Sequence, residues 1–132
     1  MSTHTLAESP NFITLDCDHA LNHAGGDPEL LMQLCRLFLD ELPLRLELLR
    51  KAIASSDLNR AGRALLQLQN CILVFGAGHA SHTAQSLEIA IRNRRTRQLQ
   101  RDWLCLDEQL CSLIPQVQLL MLETSSPRTP IQ

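Results

Sequence analysis

Residues 58–92 read LNRAGRALLQLQNCILVFGAGHASHTAQSLEIAIR, and the fold is decided here. In the first half, Ala61, Leu65, Leu68, Ile72 and Phe75 recur at alternating steps of four and three, the period of one face of an α-helix. In the second half, Ala77, Ala80, Ala84, Leu87 and Ile91 repeat the pattern with small side chains near its start. Gly76-Ala77-Gly78 separates the two and closes the first helix, because glycine accepts the backbone conformation that ends a helix. Two amphipathic helices on so short a connection fold back antiparallel, and the alanines let them approach closely beside the turn.

The same analysis extends outward. Asp16 caps a short helix reaching about Asn22, and Gly25-Gly26 breaks the chain. Asp27-Pro28 then starts a long helix, the carboxylate as N-cap and proline in the first helical position. Leu31, Leu34, Phe38, Leu42, Leu46, Leu49 and Ile53 stripe that helix to about Ala54. Pro43 lies inside it, so either the helix kinks or two helices abut. Ser55-Ser56-Asp57 makes a turn, and Asp57 caps the helix of residues 58–75. Beyond a turn at residues 93–96, Leu99, Trp103, Leu106, Leu110, Leu113, Val117 and Leu120 form one last helical stripe, bent by the off-stripe Pro115. The expected fold is all-α: an antiparallel four-helix bundle with a short N-terminal helix and a Pro-kinked first long helix. Residues 1–13 read as a flexible lead-in, 14–123 as the bundle and 124–132 as a flexible tail.

Composition narrows the function. The chain has 132 residues, 45% hydrophobic and 20% charged, which suits one globular domain. Aromatics are 3% and the net charge is −2, a poor match to a nucleic-acid binder that stacks bases or neutralises phosphates. No apolar run approaches the ~20 residues needed to cross a bilayer, and the N-terminus lacks a signal-peptide pattern, so the expected location is cytoplasmic. Cys17, Cys35, Cys71, Cys105 and Cys111 show neither CxxC nor zinc-ligand spacing and read as buried reduced thiols. The carboxylates Asp40, Glu41, Asp107 and Glu108 read as solvated faces, and no nucleotide loop or nucleophile elbow is present. The chain is therefore expected to be no enzyme and to hold no cofactor or metal.

Several landmarks resemble the histidine-containing phosphotransfer (HPt) domain family. They are the Gly25-Gly26-Asp27-Pro28-Glu29-Leu30-Leu31 helix start, the Phe38, Glu41 and Pro43 stretch, the Ser55-Ser56-Asp57 turn, Gly76-Ala77, and Leu87-Glu88 followed by Arg92. The resemblance spans about residues 14–121. It implies a phosphorelay fold and its partners, a response-regulator receiver domain or a sensor kinase.

That family's signature, Ala-His-x-Leu-Lys-Gly-Ser, falls on Leu65-Leu66-Gln67-Leu68-Gln69-Asn70-Cys71. The structural Leu68 is kept. Leu66 stands at the phosphoacceptor His position, Gln69 at the Lys that steadies the phosphoryl group and Asn70 at the Gly that admits a partner. Phosphotransfer needs an imidazole nucleophile and cationic stabilisation of the moving oxygens. Leu66 has no lone pair, and Gln69 is neutral. The resemblance thus implies a degenerate HPt domain that binds without transferring phosphate. Its docking face would be Gly62, Arg63, Leu66, Gln69, Asn70 and Leu73, which helical geometry sets apart from the core stripe.

Two other outcomes remain open in the sequence. The acceptor is displaced to His79 or His82, which lie ~10 Å and ~6 Å along the axis from Leu66 if that residue is level with position 86; no Lys follows either one, and solvated histidines near a helix start explain them more simply. Alternatively the bundle self-associates through Leu66 and Leu73, so monomer and homodimer are both compatible. An i, i+3 histidine pair could grip a metal, but no third ligand is evident. Arg92, Arg94, Arg95, Arg97 and Arg101 cluster round the third turn, where a solvated turn or an acidic partner would account for them. His4, His19 and His23 receive no role.

Overall fold

The computed structural model describes residues 13–75 and 78–125. Six helices follow one another: α1 (Cys17–His23), α2 (Pro28–Ala54), α3 (Leu58–Phe75), α4 (Gly78–Arg92), α5 (Thr96–Cys111) and α6 (Leu113–Ser125). The starts obey local chemistry. Asp16 accepts the His19 amide at 2.9 Å, Asp27 that of Glu29 at 3.0 Å and Asp57 that of Arg60 at 3.2 Å. Each satisfies an N–H that the first turn leaves without a helical partner. Gly25 and Gly26 both take positive φ, +68° and +77°, which lets the chain turn sharply from α1 into α2. The Gly76-Ala77 connection lies outside the described residues, as do residues 1–12 and 126–132.

The helices pack as a ring. α2 lies along α3, α3 along α4, α4 along α5, and α6 returns to α2. Together α5 and α6 fill the fourth place of an antiparallel four-helix bundle, with α1 across the end where α2 begins and α3 finishes. Leu42, Leu49, Leu65, Leu68, Leu87, Leu106 and Leu110 are fully enclosed at the centre. Phe38 and Phe75 meet edge to face with ring centroids 4.8 Å apart, joining α2 to α3. α2 runs through Pro43 as one helix, so of the two alternatives the abutting pair is set aside.

The structure departs from the sequence expectations in three places. The last stripe is two helices, interrupted at Ser112. Pro115 has no N–H to give the Cys111 carbonyl, and its ring crowds that carbonyl. The interruption is used. Ser112 Oγ donates to Gln109 O at 2.6 Å and accepts the Ile13 amide at 3.2 Å. Gln116 donates to Ile13 O at 2.7 Å and Ser112 O at 2.9 Å, and its Oε1 accepts the Leu15 amide at 2.8 Å. Ile13, assigned above to the lead-in, is consequently buried and anchored, and residues 124 and 125 extend α6. The cysteines also divide. Cys35 is buried, Cys71 and Cys105 are half-buried, and Cys17 and Cys111 are exposed, because the latter two sit on outer faces at helix ends. All five are free thiols, and burial together with the neighbouring Cys17 pushes the Cys35 thiol up to about 11.

His19 acquires a structural place that the sequence did not suggest. Its Nε2 lies 2.8 Å from the Leu73 carbonyl, in the last turn of α3, and the Asp16 amide donates to Phe75 O at 3.4 Å. With Nε2 protonated, the imidazole satisfies a carbonyl that the helix end leaves free.

Two stability predictions follow from this packing. Leu68→Ala lowers the free energy of urea unfolding by about 2–5 kcal/mol, whereas Leu66→Ala, two residues away, shifts it by less than about 0.5 kcal/mol. Gln116→Ala, which frees the N-terminal segment, costs about 1–3 kcal/mol in the same measurement.

Candidate functional site

The geometry of α3 follows from its buried stripe. Ala61, Ala64, Leu65, Leu68, Ile72 and Phe75 face inward. At 100° per residue, Leu66 and Leu73 must then point away from the core, and each is 61% exposed. Arg63 and Asn70 are also exposed, while Gly62 and Gln69 are half-buried on the flank toward α4. The predicted face is thus on the outside of the hairpin, but its residues do not share one hollow.

Gly62, Leu66 and Gln69 line a shallow hollow of about 240 Å³ between α3 and α4, together with Glu88 and Arg92. Asn70 turns the other way, into a 350 Å³ hollow between α2 and α3 walled by Leu34, Leu37, Phe38 and Val74. Glu41 and Arg45 pair at 2.5 Å on its rim, and Arg45 also bonds Gln67. Arg63 lines a third hollow with Lys51 and Arg60. Leu73 lines none of these hollows and is tied to the N-terminal helix through its carbonyl.

The sequence reading missed members of the α4 wall. Arg92 is held by Glu88 at 3.0 Å, so a cation and an anion border the hollow beside Leu66. Ile91 completes that wall and is buried. The i, i+4 spacing of Glu88 and Arg92 signals the ion pair, but only the hairpin shows which residues of α3 it meets.

The hollow also sets the hairpin register. Gly62, Leu65, Leu66 and Gln69 share the hollow with Glu88, Ile91 and Arg92, so the α4 residues beside Leu66 lie beyond position 86. Both His82 and His79 are then farther along the axis from Leu66 than a level at residue 86 gives. Both histidines are exposed. The α4 flank toward α5 is marked by Ser86, which donates to Asp102 at 2.6 Å, and by Thr83, 3.9 Å from Cys105 Sγ. By helical geometry His79 leans to that flank and His82 opposes the buried Ala80, Ala84 and Leu87 stripe. Neither lies on the flank that meets α3. No histidine occurs anywhere on α3 itself. Among the described residues, no three His, Cys, Asp or Glu side chains cluster to hold a metal ion.

Comparisons with known proteins agree with this architecture. The crystal structure of the HPT domain from a Shewanella Hpt sensor hybrid histidine kinase is similar, with a TM-score of 0.72 and 22% sequence identity, covering 85% of this chain and 97% of that one. That likeness concerns the fold. No curated protein matches. The family model described as Hpt domain matches residues 33–122, from the second turn of α2 to near the end of α6. With the ring of helices, the outward hairpin face and this match in hand, the chain belongs to the Hpt domain family.

Proposed function

We propose that this Hpt domain is a docking module of a two-component phosphorelay that engages a receiver domain or sensor kinase through α3 without carrying phosphate. Family membership ties the chain to phosphorelay signalling, in which such domains are carriers rather than catalysts. The observation that carries the finer reading is Leu66, a 61% exposed hydrocarbon at the outward centre of the hairpin, on a helix with no histidine. An aliphatic side chain cannot attack a phosphoryl group. Gln69 beside it supplies an amide where a developing phosphoryl charge calls for a cation. The orientations of His79 and His82, away from α3, weigh against a displaced acceptor.

What remains is contact. Leu66 and Leu73 offer exposed apolar area, and burying one such Leu contributes up to about 2 kcal/mol. Such a module blocks or scaffolds its partner, and a cytoplasmic site of action suits both roles.

Three measurements test the proposal. Incubated with a phosphorylated receiver or kinase of its own signalling system, the wild-type chain takes up no acid-labile phosphate. Acid-labile label that disappears in His79→Ala or His82→Ala would defeat the reading. The variant Leu66→His, Gln69→Lys, Asn70→Gly gains such label if the aligned position is otherwise intact. Leu66→Asp weakens binding of the receiver at least about tenfold by calorimetry, since losing ~1.4 kcal/mol or more of apolar contact is a factor of ten. A receiver that binds this variant as tightly as wild type does not use α3.

A further inference from the structure

Charge on this bundle is sorted by end. Nine of the twelve Lys and Arg residues fall within residues 50–63 and 92–101. Those segments flank the α2–α3 and α4–α5 turns, which an antiparallel ring brings to the same end. The opposite end carries Asp16, Asp18, Asp27 and Glu29 around α1, with Glu123 of α6 beside them. Between Ile89 and Arg101 there is no acidic residue. Five arginines therefore crowd one turn of a protein whose net charge is −2.

That turn runs against local preference three times, and each time the residue is arginine. Arg94 has φ +56°, in the left-handed region where glycine or asparagine is easier. Arg95 occupies the N-cap of α5 and makes no side-chain capping bond, where serine or aspartate would. Arg97 follows in a first turn with no acidic residue, beside the positive end of the helix dipole. Among the described residues no ion pair holds Arg94, Arg95, Arg97 or Arg101, although Arg92 has Glu88 and Arg60 has Asp57 at 3.6 Å. A segment that breaks local rules repeatedly in one chemical direction is held for something outside the fold.

We infer that this basic end is a docking surface for an acidic protein, engaged together with the α3 face. The inference rests on the reading of that face as a docking surface and names the chemistry of its partner. Continuity supports it: Arg92 lines the hollow beside Leu66, and Arg63 stands one residue from Gly62. The partner then presents carboxylates next to an apolar contact, with arginine forks pairing them two bonds at a time. A nucleic acid fits less well. The basic segments carry no Tyr, Phe or Trp to stack a base. Glu47, Asp57 and Glu88 are interspersed among the cations, where a continuous phosphate backbone would meet them. A protein surface of mixed charge accommodates both signs, and the field of the arginines speeds its arrival.

The test uses a fluorescein-labelled decaglutamate peptide followed by anisotropy on the full chain. Two variants change the net charge equally: Arg95→Glu in the turn and Arg36→Glu, exposed on α2. The wild type binds the peptide at low salt and loses about tenfold or more by 0.15 M. Arg95→Glu weakens binding at least about fivefold while Arg36→Glu changes it less than about twofold, as expected of a local surface. Arg95→Glu also raises the midpoint of thermal unfolding, since it puts an acid at the positive end of α5. A structural arginine would give the reverse. Equal effects of the two variants, no binding by the wild type, or tighter binding of a DNA duplex of matched charge or of phosphatidylglycerol vesicles each overturn the inference. Leu66→Ala separates it from the proposal for α3. If this variant keeps the peptide but receivers prove indifferent to position 66, the basic end stands and the α3 face falls.

Discussion

A helix has one inward direction, and α3 is packed on both sides by neighbours that leave it no freedom to choose another. α2 and α4 flank it, and Leu65, Leu68 and Ile72 fill the space they enclose. Rotating α3 to hide Leu66 would bring out side chains that are now 0–2% exposed, at roughly 1.5–3 kcal/mol each. Leu66 and Leu73 are therefore outside as a consequence of the core and not as local accidents. Everything said about the site depends on that single constraint: what stands at the outward centre of the hairpin is whatever the sequence puts two residues before Leu68.

The N-terminal segment and the α5–α6 break form one device at the opposite end of the bundle from the basic turns. Proline at 115 leaves the helix unable to continue its hydrogen bonding, and the side chains of Ser112 and Gln116 beside the break bond the backbone of Ile13 and Leu15. From there α1 reaches across to the end of α3, where His19 meets the Leu73 carbonyl. The last turn of α3 is thus tied to the chain's beginning. This matters to the proposed docking face because Leu73 is its lower member, and a frayed turn would present it poorly.

The chemistry of the face and its charge point in the same direction. A carrier of phosphate needs a nucleophile and a cation at one point. Here Leu66 supplies no nucleophile, Arg92 borders its hollow, and the other arginines of that turn stand farther off, toward the end of the bundle. Arg92 stands at the boundary, held by Glu88. In the proposed docking role, a broad charge pattern would steer and orient a partner while the apolar spot supplied contact.

Nearly all of the secondary structure was legible in the residues: α2 and α3 begin and end where their caps and stripes place them, since a buried stripe and an Asp cap act within a turn of where they stand. The outward position of Leu66 was legible too, because the buried stripe of α3 fixes it. The break at Ser112 was not, because the apolar period runs through it uninterrupted and the side chains beside it bond residues about a hundred positions away. Nor was the role of His19, whose partner is a backbone carbonyl that leaves no mark in sequence. The α3–α4 register, the pairing of Leu66 with Glu88 and Arg92, and the gathering of two distant arginine segments at one end are decided by tertiary packing alone. Periodicity says which way a helix faces, but only its neighbours determine how far along it they stand.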